Sequence, residues 1–487
     1  MSPLLIVLTV AVYFALLFTV SYVAGRKADN AGFFTGNRRS SWYVVAFAMI
    51  GASMSGVTYV SVPGMVGGSS FSYLQMTLGF VAGQLVIAFV LTPLFYRMNL
   101  TSIYQYLQNR FGTSTYRAGA WFFFISKMLG AAVRLLLVCT AMQLLVFEPW
   151  EVPFVVNVAI SVSLVWLYTY RGGVKSLVWT DSLKTLCLIV SVVMCIYYIA
   201  DGLELTAAGV LQTVTESPMS RILFLDNPDS KLYFWKQFLG GMFTMIAMTG
   251  LDQDLMQRNL SCRSTREAQK NMMVSISMQV VVITLFLMLG VLLYTFAASR
   301  GLQVSKGDDL FPLVATGAGL PVVVGVLFII GFISSAYSAA GSALTALTTS
   351  FTVDIVGTGD RSEESLARLR KHIHLLMAVL MAVVIYVIGL LNNTSIIDAV
   401  YTLASYTYGP ILGLFAFGIL LKRHRVRDRY IPVVCILSPL LCLFLQLHSE
   451  SWLDGYQLGY ELLLLNAALT FLGAWMVSDK NCSQTNK

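Results

Sequence analysis

A row of hydroxyl side chains inside an apolar segment is the first sign of chemistry in this sequence. The segment, GFISSAYSAAGSALTALTTSFTVD, covers positions 331–354. Its polar positions recur at spacings of three and four, which places them on one face of a helix; they are Ser334, Ser335, Ser338, Ser342 and Thr345. Hard cations prefer oxygen ligands, and hydroxyls supply them to a monovalent ion such as Na⁺ without formal charge. Small residues in this pattern are also typical of close helix packing, and both interpretations stay open.

The elements that position these hydroxyls are membrane helices. The 487 residues are 57% hydrophobic and 11% charged, with a mean hydropathy of +0.74, whereas soluble domains average roughly 25% charged residues. Segments of about 20 apolar residues, the length of a spanning helix, recur along the chain, and we predict about 13 of them. We therefore predict an all-α integral membrane protein in a single transmembrane domain, 1–487.

Two of the predicted spans carry helix-breaking residues near their middles. The second contains MIGASMSGVTYVSVPG (49–64), and the seventh contains FLGGMFTMIAMTGLDQD (238–254). Backbone leaves the helical state inside a bilayer only where protein or a watery cavity satisfies its polar groups. Broken helices at corresponding places are typical of transporters built from inverted repeats, although small residues also serve helix packing.

Arg134, in GAAVRLLLV, is a charge near the middle of the fourth span. Charges inside a membrane are rare and usually functional, and a guanidinium group binds a carboxylate through two parallel hydrogen bonds. Arg134 is thus a candidate for binding an anionic group; the alternative is that it caps helix carbonyls or braces the bundle. We expect Lys127, two turns earlier, to extend its long stem towards the membrane surface.

The distribution of Lys and Arg predicts the orientation. Basic residues collect in alternate connections, which places those connections in the cytoplasm. We predict a multi-pass protein of the inner or plasma membrane with its N-terminus outside and its C-terminus cytoplasmic. The net charge of +8 is then a signal of topology and does not indicate a nucleic-acid partner. The seven cysteines show no disulfide framework or zinc spacing, and no catalytic set supports an enzyme.

Six segments, in order across most of the chain, resemble the motifs of the sodium:solute symporter family. They are FFTGNRRSSW, TSIYQYLQNRFG, YTYRGGVKSLVWTD, LDQDLMQRNLSC, SSAYS and YTYGPILGLF. The resemblance implies the fold of the leucine transporters, which has two inverted five-helix repeats. Here the repeats would be 42–199 and 234–421, preceded by one helix at 3–24 and followed by two helices within 430–477.

The resemblance also implies a main sodium site between the first and eighth core helices. Carried over by position, its ligands are the backbone carbonyls of Gly51, Met54 and Gly331 and the hydroxyls of Ser334 and Ser335. These two helices are the broken second span and the segment with the row of hydroxyl side chains.

Some members of the family bind a second sodium through an aspartate at the cytoplasmic end of the fifth core helix and further hydroxyls of the eighth. Asp181 matches that aspartate, and Ser335 and Ser338 are suitable partners. Lys184 and Tyr337 depart from the family pattern, and an Asp181–Lys184 ion pair at i,i+3 is the alternative. The expected coupling ion is therefore one Na⁺, or two if Asp181 binds one.

In members that carry carboxylates, including bacterial sialic-acid symporters, an arginine of the third core helix looks to bind the substrate. Arg134 matches it, and the resemblance adds Ser55, Thr58, Phe71 and Gln75 to the expected substrate site.

Together these features predict a sodium-coupled symporter that imports a small organic solute by alternating access. A carboxylate-bearing solute, such as a sialic acid or another organic acid, is favoured, and a sugar or polyol is the alternative. From a different class, a membrane solute sensor without transport also fits the helical core. The expected partners are the solute, sodium ions and the lipid bilayer, with no obligate protein partner evident.

Overall fold

The computed structural model describes residues 2–25, 40–100, 102–170, 173–304, 306–317, 319–357, 359, 361–391, 396–452, 456, 458–459 and 461–480. Nine helices among them are long and apolar enough to cross a membrane, and one bent pair adds a further candidate span. Two shorter apolar helices also occur in this part of the chain. The count of 13 spans stays a prediction.

The helices of the first half fall between the N-terminus and Gly202. They are α1 (Pro3–Gly25), α2 (Trp42–Ser53), α3 (Gly56–Ser69), α4 (Tyr73–Val86), α5 (Thr92–Arg97), α6 (Gln105–Arg110), α7 (Thr113–Met142), α8 (Phe154–Thr169) and α9 (Gly173–Gly202). A π-helical turn, Ile87–Leu91, joins α4 to α5, and another, Gln143–Phe147, extends α7 and is followed by the 3₁₀ turn Glu148–Trp150.

The second half follows a connection that contains a short helix of its own. Its helices are α10 (Ala207–Glu216), α11 (Phe234–Met245), α12 (Gln253–Asn259), α13 (Thr265–Ser299), α14 (Gly307–Gly317), α15 (Val322–Ser350), α16 (Glu363–Leu391), α17 (Ile396–Leu420), α18 (Ile431–Trp452) and α19 (Leu462–Met476). The π turn Ile246–Gly250 follows α11, the π turn Phe351–Val356 follows α15, and 3₁₀ turns lie at Pro218–Ser220 and Asp428–Tyr430.

The described residues contain two short strands, a small exception to the all-α prediction. β1 (His424–Val426) pairs antiparallel with β2 (Ser478–Lys480), with Arg425 opposite Asp479. This ribbon joins the end of α17 to the end of α19.

Both predicted breaks are present. Between α2 and α3 the chain bends by 60°, where the sequence has small residues on both sides of the break. The seventh span is divided into α11, a π turn and α12. Glycine, serine and proline are weak helix formers, so these segments give way where the surrounding helices can satisfy the released backbone groups.

Described parts of several connections that carry basic residues meet at one face of the bundle. The Ser40 N–H donates to the Ser261 carbonyl at 3.1 Å, and the Ile103 N–H donates to the Gln253 side chain at 2.9 Å. The Arg110 guanidinium donates to the Leu421 carbonyl at 2.8 Å. These contacts gather distant parts of the chain at the same end of the helices, which we call the basic face.

The surface of the bundle is apolar where a soluble protein would be polar. Exposed large hydrophobic residues occur along α1, α16 and α18, for example Val12, Leu390 and Leu437. A contiguous apolar surface of this kind is unfavourable in water and marks contact with another apolar phase. These three helices therefore lie at the lipid boundary, while α2, α3, α7, α12, α15 and α17 surround the interior.

Candidate functional site

A cavity of about 140 Å³ lies between the α2–α3 break and helices α4, α7, α11, α12, α13, α15 and α17. At about 30 Å³ per water molecule in the liquid, this is the volume of roughly five waters, which is space for a small solute and more than a single ion needs. Its polar lining residues include Ser53, Ser55, Thr58, Ser126, Lys127, Arg134, Thr244, Thr249, Asp252, Asp254, Gln279, Ser342, Tyr401 and Tyr408.

The α2–α3 break contributes both backbone and side chains to this cavity. Met54 (φ −92°, ψ 114°) and Ser55 (φ −99°, ψ 172°) are extended, and the Ser55 N–H donates to the Thr58 hydroxyl at 3.4 Å. The carbonyls of a last helical turn lack partners within their own helix. The break therefore releases backbone oxygens at the edge of a polar cavity.

The same break packs directly against the hydroxyl-bearing helix α15. A Cβ on Gly56 would lie 2.8 Å from the Cβ of Ala336, so only a glycine fits without displacement of α15. Ala336 follows Ser335 in the sequence. The structure thus brings the break to the turn of α15 that carries the predicted sodium ligands.

Ser334 and Ser335 are fully buried. Their hydroxyls donate to the Gly331 carbonyl at 3.0 Å and the Phe332 carbonyl at 2.9 Å. A hydroxyl that donates its proton to a backbone carbonyl keeps its oxygen lone pairs as acceptors. These two oxygens are therefore suited to a cation, and their role as sodium ligands stays a prediction.

Gly51, the other predicted backbone ligand on α2, lies where α2 crosses α9. A Cβ at this position would lie 2.4 Å from the Thr185 hydroxyl oxygen and 2.8 Å from the Asp181 carbonyl. Any larger residue would push the two helices apart. The predicted main sodium site is therefore next to the turn of α9 that holds Asp181.

Arg134 lines the cavity from α7, as do Ser55 and Thr58 from the break. The ion pairs found in the described part of the chain do not include Arg134. A partly buried guanidinium with no carboxylate partner among these residues is positioned to attract an anion from the cavity.

Phe71 and Gln75 are not among the residues that line the cavity. The Phe71 N–H donates to the Arg221 carbonyl at 3.1 Å. Both ends of the Gln75 amide are engaged, because it donates to the Leu232 carbonyl at 3.0 Å and accepts from the Phe224 N–H at 3.0 Å. The structure places these residues at the α10–α11 connection, and their predicted role in substrate binding gains no support from the cavity.

A group of buried charges that the sequence did not predict as a unit lies at the cavity end nearest the basic face. Lys127 contacts the carboxylates of Asp252 at 3.0 Å and Asp254 at 2.9 Å. Arg258 contacts Asp254 at 2.6 Å and Asp181 at 3.1 Å. We call these five residues the charged cluster. All five are buried.

The charged cluster corrects the expectation for Lys127. Its ammonium does not extend to the membrane surface but forms two buried ion pairs. A charge without a partner is expensive in a low-dielectric interior, and two carboxylates on a neighbouring helix supply the partner here. In the sequence, the LDQD motif showed two carboxylates close together. Their cationic partner Lys127 lies on a different helix, so the pairing is visible only in the fold.

The charged cluster adds a partner for Asp181 that the sequence did not predict. Its carboxylate pairs with Arg258 at 3.1 Å, whereas the fully buried Lys184 ammonium makes no hydrogen bond within the described residues. The side chain of Ser338, the other predicted ligand of a second sodium, lies outside the described residues. The Tyr337 hydroxyl bonds with that of Ser161 on α8, at 2.9 Å.

Hydrogen bonds extend the charged cluster across five helices. Asp252 caps α12 by accepting from the Asp254 N–H at 2.8 Å, and it also accepts from the Tyr408 hydroxyl of α17. Arg258 donates to the Ser342 hydroxyl of α15. The cluster therefore connects α7, α9, α12, α15 and α17 and closes this end of the cavity.

A contact between two tyrosines lies at the opposite end of the cavity. The hydroxyls of Tyr73 on α4 and Tyr401 on α17 bond at 2.9 Å, and both residues line the cavity. A neutral hydrogen bond contributes about 1 kcal/mol, whereas the charged cluster contains four contacts between charged groups.

A polar cavity between two broken membrane helices is typical of membrane transporters. The model of the sodium:solute symporter family matches residues 33–427, so the chain belongs to this family. It is a multi-pass sodium-coupled symporter and not an enzyme, and sodium is its coupling ion.

Solved structures show the same fold. A Na⁺-coupled sialic acid symporter in a substrate-bound outward-open state aligns with a TM-score of 0.82 at 17% identity, covering 98% of this chain and 99% of that one. The nucleobase-cation-symport-1 transporter Mhp1 aligns with a TM-score of 0.51 at 14% identity, covering 92% and 94%. The predicted leucine-transporter-like fold class is confirmed.

Curated relatives are also sodium-coupled carriers. The human sodium-coupled monocarboxylate transporter 2 is 27% identical, covering 84% of this chain and 68% of its own length. The sodium/sialic acid symporter NanT of Aliivibrio fischeri is 24% identical, covering 86% and 83%. The human sodium/iodide cotransporter is 26% identical, covering 82% and 63%.

Proposed function

We propose that this symporter imports a small carboxylate-bearing solute together with sodium and that Arg134 binds the carboxylate. The observation that carries the proposal is the difference in ion pairing among the three cations in and beside the cavity, Lys127, Arg134 and Arg258. Lys127 and Arg258 are paired with aspartates, whereas Arg134 faces the cavity with no ion pair among the residues described. Two parallel N–H···O bonds make a guanidinium selective for a planar carboxylate.

The names of the relatives support an anionic solute. One carries monocarboxylates, another sialic acid and a third iodide, so all three transport anions. Two of the three cargoes have a carboxylate. Ser55 and Thr58, which line the cavity beside the break, are the proposed hydrogen-bonding partners for the remainder of the solute.

The main sodium ion is proposed to lie between the break and α15. Its ligands are the carbonyls of Gly51, Met54 and Gly331 and the hydroxyls of Ser334 and Ser335. The contact between Gly56 and Ala336 supports this placement. By joining the two elements, sodium orders the Ser55–Thr58 turn and so raises the affinity for solute, and the solute raises the affinity for sodium by the same factor.

Alternating access follows from the two gates. With the N-terminus outside, as the basic connections favour, the Tyr73–Tyr401 contact closes the outer end and the charged cluster closes the cytoplasmic end. The proposed moving units are the inverted repeats 42–199 and 234–421, flanked by the helix at 3–24 and the pair within 430–477. Solute is released inward when the charged cluster separates.

The test of Arg134 is uptake into proteoliposomes with an inward sodium gradient. The probes are lactate, N-acetylneuraminate, iodide and a neutral hexose, for the wild type, Arg134→Ala and Arg134→Lys. Loss of hydrogen bonds to a charged group, about 1.5–3 kcal/mol, lowers kcat/KM for the transported acid roughly 10- to 150-fold in Arg134→Ala. Arg134→Lys retains the charge and loses less.

The matched control is Arg300→Ala, because Arg300 is exposed at the end of α13. Unchanged uptake of an acid in Arg134→Ala contradicts the proposal, and so does uptake limited to iodide or to the neutral hexose. Solute binding by isothermal calorimetry with no flux would identify a sensor in place of a carrier.

The sodium site is tested through Ser335→Ala, since the variant removes one oxygen ligand and little volume. We expect sodium half-saturation to rise about tenfold, the size of one hydrogen bond to a charged group, with the solute KM increased only at limiting sodium. Ser277→Ala is the control, because that hydroxyl also bonds to its own helix but is exposed. Equal sodium dependence in both variants would place the ion elsewhere.

A further inference from the structure

The charged cluster is one positive charge short of neutrality. Its three carboxylates, Asp181, Asp252 and Asp254, are paired with two cations, Lys127 and Arg258. All five groups are buried. An uncompensated charge in a low-dielectric interior is strongly unfavourable, so a further positive charge close to the cluster stabilises it.

Lys184 is the cation nearest to this deficit in the sequence. It lies one turn after Asp181 on α9, a spacing that places both residues on one face of the helix. Its side chain is fully buried, and its Nζ has no hydrogen-bond partner within the described residues. The charged groups that act on this ammonium are Asp181, Arg258, Asp254 and Arg134.

The turn that carries Lys184 is also in contact with the helix that bears the main sodium site. Thr185 donates to the Phe47 carbonyl of α2 at 2.9 Å and to the Asp181 carbonyl at 2.9 Å. The Cα of Gly51 packs against the same turn, since a Cβ there would meet both Thr185 and Asp181. Lys184 therefore lies at the α2–α9 crossing, where the position of a second cation would influence the break.

We infer that the Lys184 ammonium, buried on the same face of α9 as Asp181, supplies the positive charge that would otherwise come from a second sodium ion at the charged cluster, so that this chain binds and transports one sodium per solute. The ammonium brings the charged cluster to neutrality, and an additional Na⁺ would leave the cluster with excess positive charge. Because the ammonium is covalently tethered, it stays with the protein throughout the transport cycle. The inference rests on the sodium coupling of the proposed function and specifies its stoichiometry.

Two substitutions of Lys184 separate charge from space. Lys184→Ser removes the ammonium, leaves room beside Asp181 and adds a hydroxyl oxygen, so the position becomes suitable for Na⁺. Lys184→Met also removes the charge, but it fills the same volume with an apolar side chain that cannot bind a cation. The double variant Asp181→Asn/Lys184→Ser lacks the carboxylate that would attract the ion.

The experiment counts sodium ions directly. Equilibrium binding of ²²Na⁺ to purified protein needs no solute, and the flux ratio of ²²Na⁺ to solute is measured in proteoliposomes. We expect about one sodium for the wild type and Lys184→Met, about two for Lys184→Ser, and about one for the double variant. The exposed Lys270→Ala on α13 is the control and keeps the wild-type value.

Two sodium ions bound to the wild type overturn the inference, and so does a single sodium bound to folded Lys184→Ser. Folding of each variant is checked by its size-exclusion profile and melting temperature. Failure of the carboxylate proposal would appear separately, as absent uptake of acids, because the binding count does not depend on the solute. Absence of any sodium binding to the wild type would contradict the sodium site itself.

Discussion

Two arginines of this membrane protein have opposite surroundings. Arg258 lies inside the charged cluster, fully buried, with two carboxylates and the Ser342 hydroxyl around it. Arg134 lies on the wall of the cavity and is not among the ion-paired residues of the described chain. The same side chain therefore holds helices together at one position and faces a solute-sized space at the other.

The difference shows how to distinguish a structural charge from a binding charge within a membrane. A structural charge is satisfied by the protein itself, so its removal leaves its partners unpaired. A binding charge is satisfied by the ligand, so its removal affects affinity and leaves the fold intact. We therefore expect substitution of Arg258 to lower mainly the stability of the protein. Substitution of Arg134 should lower mainly transport.

The largest expected effect is on the stability of Arg258→Ala. This substitution removes the guanidinium that pairs with the buried carboxylates of Asp181 and Asp254. Removal of one member of a buried ion pair lowers the free energy of unfolding by about 3–5 kcal/mol. We expect a large fall in melting temperature in detergent, measured by intrinsic fluorescence. Arg263→Ala is the control, because Arg263 is exposed in the connection after α12. Equal melting temperatures for the two variants would contradict the structural role.

A smaller loss is expected for Lys127→Met. Asp254 keeps Arg258, and Asp252 keeps the Tyr408 hydroxyl and the Asp254 N–H, so each carboxylate retains a partner. We expect a destabilisation of about 1–3 kcal/mol, the cost of a partly satisfied buried group. The measurement is the same thermal scan, with Lys270→Ala as the exposed control. A loss as large as that of Arg258→Ala would mean that Lys127 is the main brace of the cluster.

The smallest expected effect on stability is that of Arg134→Ala. No described carboxylate depends on this guanidinium, so the free energy of unfolding should change by at most about 0.5 kcal/mol, as at sites without a special structural role. The thermal scan without solute measures it. In wild-type protein a transported acid should raise the melting temperature by mass action, and in this variant the shift should disappear. A strong destabilisation without solute would identify Arg134 as a brace.

Much of the fold could be predicted from local patterns. The break in the second span follows from its small residues and Pro63, and the structure places the bend at Met54–Ser55, within the predicted segment. The hydroxyl face of α15 follows from the spacing of its serines, and it does meet the break. These features depend on residues close together in the chain, where helix periodicity alone determines the geometry.

The partners of single polar residues could not be predicted in this way. Gln75 was expected at the substrate, but its amide is engaged by Phe224 and Leu232. For Asp181 the sequence predicts sodium or Lys184 as the partner, and the structure adds an ion pair with Arg258. Each of these partners lies far away in the sequence, so helix periodicity gives no information about it.

The sequence by itself determined that the chain is a membrane protein, where its spans are broken and which charges lie inside them. Hydropathy and small-residue spacing settle these points because they act within one helix. Only the tertiary structure decided that Lys127 and Arg258 are satisfied by aspartates while Arg134 faces the cavity. A charge in a low-dielectric interior must find a partner, but which partner it finds depends on which helices pack together.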